Sequence, residues 1–334
     1  MKLISTIDGC IRYAIDKGNI IYINSDRNIN NNGSLIEGEY YAFNVYGKKI
    51  WTGNNQTNIT EVYDLATNKL IYSSLDHLSI RPDIDIRNNS DNILAQFGLK
   101  STWSLISIHD YSFIKQFSDK YGLNGIWQIT SDDLFLSWNK ESIAGCNLSN
   151  GSIAWQKNYK ELLLMEDAEQ SGNVVYLNGK IYLLLHSQNS SKSTTFCLDE
   201  KTGSIIKKYP NFGGFFSVSG DIIYRAHNYT VGIIDTTSNT ASIYDFKDLL
   251  EPEKLWIHNR TSILSSEGLI YFVDGATITG SRFGILDLKN HKLLWTHKLK
   301  IKSKYKRINS LQLSENHLYV HADDDTLHIF ERED

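Results

Sequence analysis

A strand-and-turn unit repeats along the chain, and this repeat limits what the chain can fold into. In its clearest copy an aliphatic run ends at Ile234-Asp235, a polar turn follows, and a second apolar run begins near Ala241. The same pattern recurs at roughly 36 to 52 residues' spacing, with its polar position at Asp64, Asp110, Asn147, Asp199 and Asp287. A period of this length predicts a repeat architecture in which each copy is one supersecondary unit.

Two further strands precede this pair in the repeating unit. Residues 174–177 and 181–183 are apolar runs, and Asn178-Gly179 stands between them. Asn-Gly between apolar runs is the strongest short signal for a β-hairpin. Four short strands in a meander make one blade of a β-propeller. The chain is therefore predicted to be all-β: a single seven-bladed β-propeller of four-stranded antiparallel blades over residues 1–334, with six or eight blades as the alternatives.

The two ends of the predicted propeller need an explanation of their own. The last copy offers residues 327–330 as a third strand and no fourth. Because an unpaired sheet edge invites aggregation, we expect residues 2–7 to complete that blade and close the ring. A hairpin at residues 39–51 does not fit the repeat. We interpret it as part of an insertion at about residues 25–56; alternatively it forms the inner strands of blade one, and residues 8–38 are an N-terminal extension.

Composition is that of a folded protein without a dominant charge. Hydrophobic residues make up 41% of the chain, charged residues 22%, and the net charge is −4. This charge creates no field that would attract nucleic acid or an anionic membrane, so neither is an expected partner. Cys10, Cys146 and Cys197 are widely spaced and odd in number, which argues against a disulfide framework or a zinc site. We expect a cytoplasmic protein that needs no cofactor or metal.

A more specific motif occurs in three copies. Residues 147–155, 198–206 and 286–295 each contain a polar turn followed by an aliphatic run, and two of the runs end in Trp155 and Trp295. The motif resembles the repeat of the pyrroloquinoline-quinone-type, or quinoprotein-like, β-propeller family. The resemblance implies a turn residue with positive φ and a Trp packed between blades. The sequence lacks the marks of that family's dehydrogenases and the Gly-His and Trp-Asp dipeptides of WD-repeat proteins, so the resemblance implies the non-enzymatic scaffold branch.

An acidic segment with an apolar centre lies in one predicted connection between blades. Glu161, Glu166 and Asp167 surround four apolar residues at 162–165. An exposed apolar tip with an acidic rim would suit protein recognition. A short helix packed on the propeller surface is the alternative.

A second predicted connection between blades carries candidate binding residues. Trp256, His258 and Arg260 enter a blade together, and Trp and Arg are enriched at interface hot spots; the alternative is core packing for the Trp and a solvated rim position for the Arg.

A third predicted connection contains a basic run at residues 298–307, which includes Lys302, Lys304 and Arg307. Its lysines alternate with other residues, so in a strand they would share one face. They would then either bind an acidic partner or nucleic acid, or guard the blade edge against pairing, and we favour the guard.

No local motif for catalysis is present, and the remaining candidates are weak. His321 and His328 flank a turn that would place them opposite each other, which predicts a polar cross-strand pair rather than a metal site. We therefore expect a module that binds another protein rather than a small molecule. By analogy with short bacterial propellers, it would be an immunity-type protein that neutralises a toxin. The alternative is a carbohydrate-active or quinone-dependent enzyme, or a small-ligand binder, that uses the central channel.

Overall fold

The computed structural model describes residues 1–54, 59–74, 78–80, 92–97, 103–116, 128–130, 134–275 and 280–332. Within these residues the strands form eight antiparallel sheets of four strands each. In sheets 1 to 7 the four strands follow one another in chain order, so each sheet is a meander of hairpins. Two short helices, α1 at Tyr159–Leu163 and α2 at Lys247–Leu250, lie in connections between sheets.

The strand bounds of the first four sheets are as follows. Sheet 1 consists of β2 (Arg12–Asp16), β3 (Asn19–Ile23), β4 (Ile29–Asn31) and β5 (Ser34–Ile36). Sheet 2 consists of β6 (Tyr40–Tyr46), β7 (Lys49–Asn54), β8 (Thr60–Asp64) and β9 (Leu70–Ser73). Sheet 3 consists of β10 (Leu78–Ile80), β11 (Asn92–Phe97), β12 (Trp103–Ser107) and β13 (Phe113–Gln116). Sheet 4 consists of β14 (Gln128–Ile129), β15 (Leu134–Trp138), β16 (Ser142–Asn147) and β17 (Ile153–Asn158).

The last four sheets contain the longer strands. Sheet 5 consists of β18 (Ala168–Leu177), β19 (Lys180–Ser187), β20 (Ser193–Asp199) and β21 (Ile205–Pro210). Sheet 6 consists of β22 (Ser217–Ser219), β23 (Ile222–His227), β24 (Thr230–Asp235) and β25 (Thr240–Asp245). Sheet 7 consists of β26 (Ile257–Leu264), β27 (Leu269–Asp274), β28 (Arg282–Asp287) and β29 (Lys292–Lys298). Sheet 8 consists of β30 (Ile308–Ser314), β31 (His317–Ala322), β32 (Leu327–Glu331) and β1 (Lys2–Ile7).

The N-terminal strand completes the last sheet. β1 is the fourth strand of sheet 8 and pairs with β32, with Thr6 opposite His328 and Ile7 opposite Leu327. The strand exchange predicted from the missing fourth strand is confirmed.

The structure has eight sheets where the repeat predicted seven blades, and the difference lies at the predicted insertion. Residues 25–56 hold regular strands: β4 and β5 complete sheet 1, and β6 and β7 begin sheet 2. The strands β4 and β5 have three residues each, and two of the three residues of β4 are Asn, which has low β-propensity. Asn32 and Gly33 join them with φ of 52° and 82°. This Asn-Gly pair is a short hairpin signal in the sequence, and it marks the turn that completes sheet 1.

Two compact units make up the chain. One consists of residues 1–8, 140–142 and 157–334 and holds sheets 5 to 8. The other consists of residues 9–139 and 143–156 and holds sheets 1 to 4, apart from the ends of β16 and β17. All candidate residues belong to the first of these, which we call the large unit.

The repeated Asp has a physical role at the turn between the third and fourth strands. The carboxylate of Asp199 accepts hydrogen bonds from the backbone N–H of Thr202 at 2.9 Å and from its hydroxyl at 2.7 Å. These bonds hold the pKa of Asp199 below its ordinary value. The turn ends at Gly203, whose φ of 65° requires a residue that tolerates the left-handed region. Equivalent carboxylate-to-turn bonds occur at Asp64, Asp235 and Asp287.

Trp295 packs between two sheets as the resemblance implies, whereas Trp155 packs on a glycine of its own sheet 4. Trp295 of sheet 7 lies with its ring centroid 5.9 Å from that of Phe330 in sheet 8. Trp155 covers Gly145, where an added Cβ would come within 2.4 Å of the indole nitrogen. Gly145 therefore clears the space that the Trp ring fills.

Candidate functional site

Three connections of the large unit lie at the same end of their sheets, where the first strand begins and the second strand turns into the third. In sheet 5 this end pairs Ala168 with Ser187, in sheet 7 Ile257 with Asp274, and in sheet 8 Ile308 with Ala322. We call this region the loop end and define it as residues 159–167, 254–258 and 299–307. Every candidate residue except Arg260 falls within these three segments.

An aspartate anchors the first segment. Asp167 accepts hydrogen bonds from the Ser187 hydroxyl and from the backbone N–H of Asn189, both at 2.7 Å. The same bonds lower the pKa of Asp167. Asp167 therefore holds the chain before β18 against the turn after β19, and its carboxylate is occupied by the fold.

The apolar tip predicted in this segment and the alternative short helix are both present. Asn158 caps α1 by accepting a hydrogen bond from Lys160 N–H at 2.9 Å. Leu162 and Leu163 are buried, whereas Leu164 ends the helix at φ 59° with 76% of its surface exposed. Glu161 is exposed beside it.

Glu166 forms the acidic rim together with Glu161. Its carboxylate lies 3.2 Å from the Lys160 ammonium, and both side chains are largely exposed. An exposed pair of this kind adds little stability. The tip thus presents one leucine next to charged groups that the fold does not need.

The basic run forms a connection between β29 and β30 and not a strand. β29 ends at Lys298, and residues 299–307 lead to β30 without joining a sheet. Asp324 accepts a hydrogen bond from the Lys302 N–H at 2.8 Å, and Asp323 accepts one from the Arg307 N–H at 2.9 Å. Asp323 also accepts a hydrogen bond from the Ser303 hydroxyl. These bonds draw the chain away from the sheet edge, so the lysines do not line one face of a strand.

An exposed tyrosine lies among the cations of this segment. Tyr305 is 55% exposed. The Lys304 ammonium lies 5.8 Å and the Arg307 guanidinium carbon 5.3 Å from the centre of its ring. Both distances are within the range of a cation–π contact. The side chains of Lys304 and Arg307 are exposed, so the three groups face solvent together.

The Trp256 segment is held more tightly than was expected for a binding loop. The buried carboxylate of Asp274 accepts a hydrogen bond from the backbone N–H of Trp256 at 3.2 Å. It also forms an ion pair with the Arg282 guanidinium at 2.7 Å. Trp256 is half-buried and His258 is exposed, with its Nδ1 3.3 Å from the Thr261 hydroxyl. Arg260 lies in β26, but its side chain is outside the described residues.

The two histidines near the last turn do not form the predicted pair. His321 lies opposite Leu327, and His328 lies opposite Val320, so the two side chains project from different faces of sheet 8. Among the described residues no three His, Cys, Asp or Glu side chains are grouped so that they could hold a metal ion. None of the helices in the described ranges is long and apolar enough to cross a membrane.

Two residues that the sequence did not single out lie beside the Trp256 segment. Arg225 and His227 share one face at the end of β23, and Asn228 links that end to Ile257 by two backbone hydrogen bonds of 2.9 and 2.6 Å. An Arg inside the run Ile222 to His227 was the available signal, because the rest of that strand is apolar or aromatic up to its last residue.

Three histidines with lowered pKa values make the stability of the large unit sensitive to acid. Burial lowers the pKa of His328, and lowers the pKa of His297 and His227 as well. Since the folded pKa values lie below the ordinary value of about 6.5, the unfolded chain takes up protons first as the pH falls. The stability is therefore complete above about pH 6.5 and is lost as the pH drops towards the folded pKa values.

We expect the thermal midpoint to fall between pH 7 and pH 5, and the fall to be smaller in His328→Leu. Both ring nitrogens of His328 are buried and make no hydrogen bond within the described residues, so protonation there is costly. Circular dichroism melts at closely spaced pH values measure the slope. An identical slope in the variant would show that His328 does not contribute.

Comparison with known proteins shows the fold. No protein-family model matches the chain, and no curated protein is similar to it in sequence. It is similar to the computationally designed protein Ika8, with a TM-score of 0.62 and 10% identity over 97% of this chain and 96% of that one. It is also similar to BamB from Moraxella catarrhalis, with a TM-score of 0.54 and 12% identity over 99% of both chains.

A third structure of the same kind is the β-propeller domain of Cps50 (Swd1) from Myceliophteria thermophila. Its TM-score is 0.54 and its identity is 10%, over 89% of this chain and 98% of that one. Sequence identities this low support a shared fold and indicate nothing about activity. The chain, with its four-stranded antiparallel sheets and its N-terminal strand in the last of them, has the β-propeller fold.

Proposed function

We propose that the chain is a non-catalytic module that binds another protein through the loop end of the large unit. The loop end offers exposed apolar, aromatic and charged side chains on segments that hydrogen bonds already hold in place. Binding by fixed segments avoids much of the entropy cost of ordering loops. Asp167, Asp274, Asp323 and Asp324 supply these anchors.

The observation that carries the proposal is the exposure of Tyr305 between Lys304 and Arg307. Tyr and Arg are the residue types that most often dominate binding energy at protein interfaces. The fold does not need Tyr305 for its core, since more than half of the side chain is in solvent. Leu164 is a second exposed anchor of the same kind, on the loop end of sheet 5.

The repeat supports a finer assignment to the pyrroloquinoline-quinone-type propellers. The turn residue with positive φ and the inter-sheet Trp are the features that the resemblance implied, and BamB is among the structural neighbours. Within that group we place the chain in the non-enzymatic scaffold branch. An immunity-type protein that neutralises a toxin of the same cell is the specific form that we propose.

A cytoplasmic location fits the cysteines. Cys10, Cys146 and Cys197 are all buried as free thiols. Burial raises the pKa of Cys146 to about 11, which keeps it protonated and unreactive at neutral pH. Free thiols are typical of proteins that stay in a reducing compartment.

Affinity capture with matched variants tests the proposal. The tagged wild-type protein is expected to retain one stoichiometric protein from its native cells, and Tyr305→Ser and Leu164→Asn should each weaken that complex by about ten-fold or more. Asn suits the positive φ at position 164, so loss of binding would not reflect backbone strain.

The control is Ile243→Ser, which removes a side chain that is 53% exposed on the outermost strand of sheet 6, away from the loop end. It should leave the affinity unchanged. Equal effects of the control and the two loop-end variants, or a complex that none of them weakens, would overturn the proposed surface.

A further inference from the structure

Arg225 is a buried cation in the large unit. It is only 8% exposed, and its guanidinium lies over the Phe212 ring with 5.4 Å between the guanidinium carbon and the ring centre. Its Nη1 donates a hydrogen bond to the Thr230 hydroxyl at 2.7 Å. Its Nε is buried and has no hydrogen-bond partner in the part of the chain that the structure describes. Few of the five N–H donors of this side chain are therefore satisfied.

No carboxylate balances the charge of Arg225 among the residues that the structure describes. Arg282, in the neighbouring sheet 7, shows the ordinary solution: its guanidinium lies 2.7 Å from the buried carboxylate of Asp274. Burying a cation without an opposite charge is strongly unfavourable. Burial accordingly lowers the pKa of Arg225.

The fold makes room for the guanidinium with two glycines. A Cβ at Gly214 would lie 2.9 Å from the Arg225 Cδ, and one at Gly232 would lie 3.1 Å from its Nε. Gly232 is the direct cross-strand neighbour of Arg225. Larger residues at these positions would push the side chain out, so the sequence keeps Arg225 inside.

The first strand of sheet 6 ends before it reaches Arg225. β22 has three residues and pairs only with Ile222 to Tyr224, so Arg225 and His227 have no first-strand partner. His227 is exposed and lies opposite Thr230, on the face that Arg225 shares. The pKa of His227 is lowered by burial, by the Arg225 cation and by His258. At neutral pH the group of Arg225, Thr230 and His227 thus carries one positive charge, which suits a monoanion.

We propose that Arg225, Thr230 and His227 form a binding site for a carboxylate group. The guanidinium and the imidazole are able to donate hydrogen bonds to carboxylate oxygens. The Thr230 hydroxyl donates to the His227 carbonyl oxygen at 3.3 Å and accepts from Arg225, so its role is to position the guanidinium. The carboxylate belongs either to a small free acid or to a side chain or C-terminus of the bound protein. In the second case the site is part of the protein-binding surface at the loop end and rests on the proposed function.

Arginine-selective NMR of the full chain tests the site with acetate as the probe. The Nε–H resonance of Arg225 is identified by its absence in Arg225→Lys. Acetate should shift this resonance saturably, with a Kd on the order of 1 to 10 mM, and raise the pKa of His227. Chloride at equal ionic strength should do neither. The Nε–H of Arg282 is the internal control, because its guanidinium already has a carboxylate partner.

A second readout is the thermal midpoint, which acetate should raise in the wild type and not in Arg225→Met. The Met variant keeps the buried volume without the charge, so it is expected to fold. An absent shift of the Arg225 resonance, or the same shift with chloride as with acetate, overturns the site.

The source of the carboxylate is decided in the complex. If the captured partner displaces acetate and itself shifts the Arg225 resonance, the partner supplies the group. If acetate binds equally to the free protein and to the complex, the ligand is a free acid. The acetate titration needs no partner, so failure of the proposed function would leave its result intact.

Discussion

Phe283→Ala is expected to lower the free energy of unfolding by about 3 to 5 kcal/mol. Phe283 is fully buried in β28, and its ring contacts those of Trp295, His297 and Phe330 at centroid distances of 5.2 to 5.7 Å. Phe330 belongs to sheet 8, so the cluster joins two sheets. Their backbones are fixed by hydrogen bonds, and the cavity left by the ring cannot collapse. Urea denaturation followed by tryptophan fluorescence measures the loss.

Leu294→Ala is the matched control for this substitution. Leu294 lies in β29 next to Trp295, and 49% of its surface is exposed. Its loss should cost no more than about 0.5 to 1 kcal/mol, because little buried contact is removed. Comparable losses in the two variants would contradict the ring packing between sheets 7 and 8.

Local chemistry explains which parts of the fold the sequence predicted. The Asp at the end of a third strand and the turn that it caps are neighbours in the chain, and the Asp199 turn shows the bonds directly. Position 203 needs a positive φ, which Gly provides, and Asn239 and His291 take the same conformation in their own copies. Signals of this kind do not depend on distant contacts, so the repeat was readable in the sequence.

Features that depend on an extra residue or on very short strands were less predictable. The predicted pairing of His321 with His328 was wrong by one position in the register, because the turn contains an added residue with positive φ at Asp325. One residue of shift reverses the faces of a whole strand. The prediction likewise separated β4 and β5 from the other strands of sheet 1. These two strands are too short to show the alternation of period two that identifies a strand.

The candidate residues show a further limit. The sequence predicted the three segments of the loop end, yet it could not separate the groups that anchor them from the groups that face solvent. Asp167 is an anchor, whereas Glu166 next to it lies in solvent and contacts only the exposed Lys160 ammonium among the described residues. Arg225 was missed because its significance lies in what is absent around it. Whether a buried charge has a partner is decided by residues from other strands.

Deletion of residues 2–7 is expected to have the largest effect of all, loss of the soluble folded protein. β1 pairs with β32 along its length and covers an edge whose residues Leu327, Ile329 and Phe330 are buried. Without β1 this edge has unpaired backbone groups, which favour association between chains. Size-exclusion chromatography and a thermal melt should show aggregates and a lowered midpoint.

Rescue by a peptide separates this role from a general effect of truncation. A synthetic peptide of residues 1–8 added to the truncated protein should restore the midpoint in a saturable way. In the control peptide, Thr6→Pro and Ile7→Pro remove two successive N–H groups, of which one must face β32 because neighbouring groups point to opposite sides. A truncated protein that stays monomeric and melts like the full chain, or a rescue that both peptides achieve equally, would mean that sheet 8 is stable without its fourth strand.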